Sequence, residues 1–243
     1  MGLGLNGTAS VLWGHSPPSR NRLLNEEPED TLFFMTELSK IEQQYRFTLP
    51  RTYRSFVEHG YFAHPSETFL WVHEAEWLPP SEMLQDGGFW GNPKPGLVAF
   101  AFSGRRDLWA WQTQCISNLS EPTIVFCPRD DWEGEWFAPS FLGWLYRVCL
   151  EYGSSLWYDE PKTRMDLSRW AAVLQEHGAQ EWANVVRSVA CRKIVAVESG
   201  AHGYVERSLI NKSEVDDRIT AAFGPHFIGG SYIWDWHGEP PAG

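Results

Sequence analysis

The chain has 243 residues, 43% of them hydrophobic and 21% charged, a balance that fits a globular protein and excludes an extended disordered one. That length holds one large domain, or a domain of about 120–150 residues with a sizeable extension. The formal net charge of −11 argues against a general nucleic-acid binder, whose phosphate contacts need clustered Lys and Arg, and suits a basic partner drawn in at long range.

Residues 1–27 are rich in Gly, Ser, Pro and Asn and predict a mobile segment. They lack a basic n-region, and glycines break their short apolar stretch, so they read as neither a signal peptide nor a membrane span. A first helix is predicted from Pro28–Thr31, burying Phe34, Leu38, Ile41 and Tyr45 at helical spacing. Leu49-Pro50 opens a second, with Pro50 in its first turn, Tyr53, Phe56 and Val57 inward, and a stop at Gly60. Residues 68–73 read as a strand and 79–85 as a helical turn. The centre of the chain is LVAFAFSGRRDLWAW, residues 97–111, in which two apolar runs flank a glycine-containing turn and predict a hairpin. Residues 123–127 extend the sheet, and residues 128–136 form a loop dense in acids and Trp. A helix over 139–152 follows, capped by Ser140, with Phe141, Leu145, Val148 and Tyr152 on one face.

Residues 153–163 read as a linker, followed by helices over 166–177 and 179–192 separated at Gly178. Strand-like stretches at 193–198 and 204–210 come next. A further helix opens at Ser213, with Asp216 completing a variant of the capping box, carries Val215, Ile219 and Phe223, and stops at Gly224-Pro225. A hairpin around Gly229-Gly230 precedes a polar tail. The fold class expected is α+β, with a twisted, mainly antiparallel sheet covered by helices. The division expected is a mobile segment 1–27, a domain 28–152 and a smaller α+β extension 153–243.

Fourteen Trp, fourteen Phe and eight Tyr make an unusual aromatic load. Each indole N–H wants a hydrogen-bond partner, so some tryptophans are expected at the surface, where aromatics anchor partners. Trp109 and Trp111 are two apart in a strand and are expected to pack in the core on one face. Four Cys at 115, 127, 149 and 191 show no CxxC pairing, which points to buried free thiols in a reducing cytoplasm.

The order helix, Leu-Pro helix ending in Gly, strand, hairpin, strand, acidic loop and Ser-Phe helix resembles the SUKH superfamily, which includes the yeast cell-wall regulator Smi and many bacterial immunity proteins. The most similar piece is Leu49-Pro50-Arg51-Thr52-Tyr53-Arg54-Ser55-Phe56-Val57-Glu58-His59-Gly60, where His59 stands in place of the family's Asn. Residues 97–102 and 107–111 resemble the central hairpin, although Arg105 and Arg106 separate Gly104 from Asp107. Ala138-Pro139-Ser140-Phe141 with Leu145 resembles the closing helix. The likeness spans roughly residues 28–152 and implies a protein without catalysis or cofactor that binds another protein, often a toxin such as a nuclease. An acidic, aromatic surface suits the basic cleft that a nuclease needs for its own substrate.

The leading interaction site is the loop Arg129-Asp130-Asp131-Trp132-Glu133-Gly134-Glu135-Trp136. Asp130, Asp131, Glu133 and Glu135 would steer a basic partner, and Trp132 and Trp136 would anchor it. The plainer reading is a solvated loop whose tryptophans fold back on the core. From Glu121 to Glu160 eight carboxylates stand against Arg129 and Arg147, which concentrates the acid there. A glycoside hydrolase would use Asp131 with Glu133 or Glu135 as an acid–base pair, but nothing in the spacing selects a pair. His59 and His64, His73 and Glu74, and the other histidines lack metal-ligand spacing. No nucleophile motif or phosphate-cradling glycine loop is present. A regulatory or scaffolding adaptor is the remaining alternative. The sequence assigns no oligomeric state, and no membrane or nucleic-acid partner is expected.

Overall fold

The computed structural model describes residues 28–59, 76–89, 94–103, 105–114, 121–129, 133–155, 160–199 and 204–233. The expected mobile segment 1–27, the strand at 68–73, Gly60 and Cys115 lie outside the described residues. Helix α1 (Pro28–Tyr45) and helix α2 (Arg51–Glu58) lead into a two-residue strand β1 (Glu76–Trp77), a short helix α3 (Pro80–Leu84) and a 3-10 turn, Asp86–Gly88. Leu38 and Ile41 of α1 are buried, as their spacing predicts, while the side chain of Phe34 lies outside the described set. Pro50 sits one residue earlier than expected, as the N-cap of α2, and Tyr53, Phe56 and Val57 are buried.

The hairpin is strand β2 (Leu97–Phe102) and strand β3 (Leu108–Gln112), followed by strand β4 (Ile124–Cys127), strand β5 (Glu133–Ala138) and helix α4 (Phe141–Gly153). Helix α4 starts where predicted. The Ser140 hydroxyl accepts from the Gly143 amide at 3.1 Å, and the Glu121 carboxylate accepts from the Phe141 amide at 3.2 Å. Two of the helix's orphan N–H groups are thus satisfied, one by a residue twenty positions away.

Helix α5 (Glu160–Glu176), helix α6 (Gln180–Ala190), strands β6 (Val195–Ser199) and β7 (Tyr204–Ser208), helix α7 (Lys212–Phe223), a 3-10 turn Pro225–Phe227 and strand β8 (Ser231–Ile233) are the remaining elements among the described residues. Six strands form one sheet in the order β1-β2-β3-β4-β5-β8, and β6 with β7 forms a separate ribbon. All the pairings are antiparallel, which makes the fold α+β as expected.

Strand alternation sends Trp109 and Trp111 to the face that α2 and α4 cover. There Trp111 stacks on Phe100 at 4.5 Å and meets Tyr53 edge-on at 4.7 Å. Trp144 of α4 lies 5.3 Å from Phe100 and 6.0 Å from Trp109. The opposite face of β2 is approached by the glycine turn. A Cβ on Gly88 would lie 3.1 Å from the Cβ of Ala99, and the turn is pinned by the Tyr45 hydroxyl, which accepts from the Gly87 amide and donates to the Met83 carbonyl. On its far side α4 packs against α5, α6 and α7, with Tyr146 stacked on Trp182 at 5.2 Å and Phe223 edge-on to both.

Several expectations are corrected. Residues 133–136 belong to a strand and not to a loop, because β4 and β8 supply hydrogen-bonded neighbours on both sides of them. Helix α5 starts at Glu160 inside the expected linker, supported by an Arg164–Glu160 pair at 3.0 Å. Asn211, not Ser213, caps α7, its Oδ1 accepting from the Glu214 amide at 2.7 Å. Residues 231–233, after Gly229-Gly230, do not form the expected local hairpin; as β8 they pair with β5 instead. Cys127 and Cys149 are buried, but Cys191 is exposed at the end of α6. Among the described residues no tryptophan is exposed. The indole N–H groups of Trp109, Trp111 and Trp144 are buried without acceptors, so aromatic packing outweighs those unmade bonds.

Candidate partner-binding site

Of the six residues singled out, Asp130, Asp131 and Trp132 lie outside the described residues. Glu133, Glu135 and Trp136 stand on β5. The alternation of the strand puts Glu133 and Glu135 on one face and Trp136 on the other. Glu135 is exposed and Glu133 half-buried. Trp136 is half-buried, with the Tyr232 ring edge-on to it at 4.9 Å and its amide donating to the Gly230 carbonyl at 3.0 Å. The structure therefore brings the two carboxylates together and turns Trp136 towards the chain's own C-terminal segment.

The other acids in this stretch have internal tasks. Glu121 caps α4, and burial raises its pKa while the bond from the Phe141 amide opposes the shift. Glu151 pairs with Arg147 at 2.8 Å. Glu160 pairs with Arg164, and with Arg207 at 3.5 Å. Surface charge pairs of this kind contribute little stability, but they offset the charge of Glu151 and Glu160 that would otherwise steer a partner. On β5 the exposed carboxylate is that of Glu135.

At the end of the sheet next to residue 130 the sign reverses. Asp107 accepts from the Arg129 amide at 3.1 Å and from the Ser103 hydroxyl at 3.0 Å, which holds the β2–β3 turn against the β4–β5 connection. That turn presents Arg105 and Arg106, both exposed, with Arg106 at φ +66°. The acid-rich reading of the sequence missed this arrangement. Its signal was the Ser103–Asp107 spacing, which lets one hydroxyl accept from the Arg105 and Asp107 amides.

Arg147 was also missed. It lies inside α4, buried, with its guanidinium 4.0 Å from the Phe137 ring. It donates to the Phe137 carbonyl at 3.1 Å and the Phe227 carbonyl at 2.9 Å, so one side chain ties α4, β5 and the turn before β8. A second buried polar group, Asp166, accepts from Lys162 at 2.5 Å and Tyr152 at 3.3 Å, joining α4 to α5.

Burial pushes the Cys127 thiol up to about 12 and raises Cys149 well above its ordinary range, so both are protonated and unreactive at neutral pH. Among the described residues no group of three or more His, Cys, Asp or Glu is placed to hold a metal ion. Nor is any helix there long and apolar enough to cross a membrane.

Residues 35–145 match the SUKH_6 family model, described as SMI1-KNR4 cell-wall. No curated protein and no solved structure matches the chain significantly. The matched segment runs from α1 through β5 into α4, covering the sheet face that carries Glu133 and Glu135. The family includes immunity proteins, is generally non-enzymatic and is associated with protein partners such as toxins. Over residues 35–145 this chain is similar to the SUKH superfamily, as its motifs led us to expect.

Proposed function

We propose that the chain is a non-enzymatic immunity protein of bacterial type that binds and neutralises a basic toxin, a nuclease being the class that its charge fits best. The observation that carries this reading is the exposed Glu135, on one strand face with Glu133, within the segment that matches the family. A nuclease needs a basic cleft for phosphate, and an acidic strand face with a net charge of −11 behind it complements such a cleft and accelerates encounter. Asp130, Asp131 and Trp132 would extend that contact. In this reading residues 28–152 form the binding module, and residues 153–243 are an extension that contributes β8.

The test is capture of partners by the full chain from its own source cells, at low and high salt, followed by association kinetics. A stoichiometric basic partner lost at high salt is the expected result. Asp131→Lys combined with Glu135→Lys should slow association and flatten its salt dependence while the fold survives. An unchanged salt slope in that variant would remove β5 from the binding surface.

A further inference from the structure

Strand β5 carries one residue more than a regular pairing with β4 allows. Ile124 stands opposite Ala138, but the next residue, Val125, stands opposite Trp136. Phe137 is therefore the extra residue of a β-bulge. The side chains show it. The Phe137 ring lies 5.9 Å from Trp109 and 6.3 Å from Phe126. Its neighbour Ala138 stands opposite Ile124, and Ile124 opposite Trp111. Two successive buried residues thus share the face of Trp109 and Trp111, where a regular strand would send them to opposite faces.

The bulge decides where the carboxylates point. The side-chain period of a strand is two, so a slip of one residue moves every following side chain to the other face. With the bulge, Glu135 stands opposite Phe126 and Trp136 opposite Val125. In a bulge-free continuation from Ala138, Trp136 would stand opposite Phe126 and Glu135 opposite Cys127, a buried residue of the other face. Glu133 would turn with Glu135. Trp136, Phe137 and Ala138 are three apolar residues in a row, so their own pattern selects neither phase.

Arg147 holds the extra residue from outside the strand. Its guanidinium donates to the Phe137 carbonyl at 3.1 Å and lies 4.0 Å from the Phe137 ring. The bonds to the Phe227 carbonyl at 2.9 Å and to Glu151 at 2.8 Å fix the same guanidinium to two other elements. We infer that Arg147 is the positioning residue of the β5 site: by binding the bulge carbonyl it sets the phase of the strand, and with it the face on which Glu135 is exposed. Its role in binding rests on the reading of β5 as the partner surface; its role in the register does not.

The test compares the full-length wild type with Arg147→Met, which keeps an unbranched side chain and removes the donor. Cross-strand NMR contacts read the register, and a synthetic decapeptide of alternating Lys and Gly, titrated against the Glu135 carboxylate signal, reads the site. In the wild type Glu135 should contact Phe126. In Arg147→Met a second set of signals, with Glu135 against Cys127, should take about half of the molecules or more. The peptide's apparent affinity should then fall by the same factor as the occupancy of the original register, a proportionality that a loss of stability alone would not produce. If Arg147→Met does not fold, Arg147→Lys serves, because it keeps the charge and loses the planar fork. Relaxation dispersion at the Glu135 and Trp136 amides should then report the second register as a minor state of about 1–10%. A single register with Glu135 opposite Phe126 in the variant that folds would overturn the inference, whatever its stability. If the register shifts but the peptide leaves the wild-type Glu135 signal unmoved, the partner-surface reading of β5 fails and the role of Arg147 in the register stands. If the peptide moves that signal while the register is unchanged in the variant, the reading of β5 stands and the role of Arg147 falls.

Discussion

Replacing Arg147 with Ala should be the most damaging single truncation of a charged side chain on the sheet-facing helix. The guanidinium makes bonds to two buried carbonyls, Phe137 at 3.1 Å and Phe227 at 2.9 Å, and sits 4.0 Å from the Phe137 ring. Each hydrogen bond from a charged donor contributes about 1.5–3 kcal/mol, and truncation leaves both carbonyls without that donor. The contact with the ring adds about 1–2 kcal/mol. These contributions overlap, so the combined loss should be about 3–5 kcal/mol. Urea unfolding followed by tryptophan fluorescence gives the number. With a slope of about 2–3 kcal/mol per M, the midpoint should fall by more than about 1 M. Arg147→Lys keeps the charge but loses the planar fork that reaches both carbonyls, and should cost about 2 kcal/mol. Glu151→Gln removes only a half-exposed partner and should cost under about 1 kcal/mol. If Arg147→Ala is milder than Glu151→Gln, the guanidinium serves the surface pair and not the carbonyls, and the three-element tie described for it is wrong.

Gly88→Ala should destabilise by about 2–4 kcal/mol, because φ is +81° and the new Cβ would lie 2.8 Å from Leu78 and 3.1 Å from Ala99. Gly178→Ala, at φ +87° with nothing within 4 Å, should show only the backbone part, about 1 kcal/mol. Glu214 accepts from Arg192 at 2.6 and 2.8 Å and from Arg218 at 2.8 and 2.9 Å. These bonds hold its pKa at about 2 against an ordinary value of 4.5. Its contribution is therefore complete above pH 4.5 and is lost as the pH falls towards 2. With the side chain 30% exposed, solvent screening leaves about 1 kcal/mol of that contribution. Glu214→Gln should be less stable than wild type by this amount at pH 6, with the gap closing towards pH 2 in thermal unfolding; a gap that widens on acidification would refute the assignment.

The parts of the fold visible in the sequence are those whose determinants are local. Leu-Pro followed by Tyr53, Phe56 and Val57 specifies α2, Ser140 specifies the start of α4, and the apolar runs around residues 103–107 specify the central hairpin. Strand β5 was hidden because its hydrogen bonds come from β4 on one side and from β8 on the other, and neither is signalled by Glu-Gly-Glu-Trp. Composition also pointed the wrong way there, since carboxylates and tryptophans are common in loops. The acid total overstated the candidate surface for a related reason. Glu121, Glu151 and Glu160 are committed to a cap and to ion pairs whose partners lie on other turns or other elements. Trp109 and Trp111 pack in the core as expected, and the expectation of surface tryptophans is not met among the described residues, where ring packing at Trp109, Trp111 and Trp144 tolerates indole N–H groups without acceptors.

The strand order has a consequence for synthesis of the chain. The outer neighbour of β5 begins at residue 231, whereas β5 itself ends at residue 138. At typical translation rates of about 5–20 residues per second, the edge of β5 waits roughly 5–20 s for β8 to be made. An uncovered edge in a nascent chain invites pairing with the next chain on the same messenger, and inward or edge-borne charge is the usual protection. Glu133 and Glu135 stand on that edge strand, so the same two carboxylates that suit a basic partner would repel a second, identical β5 until β8 emerges.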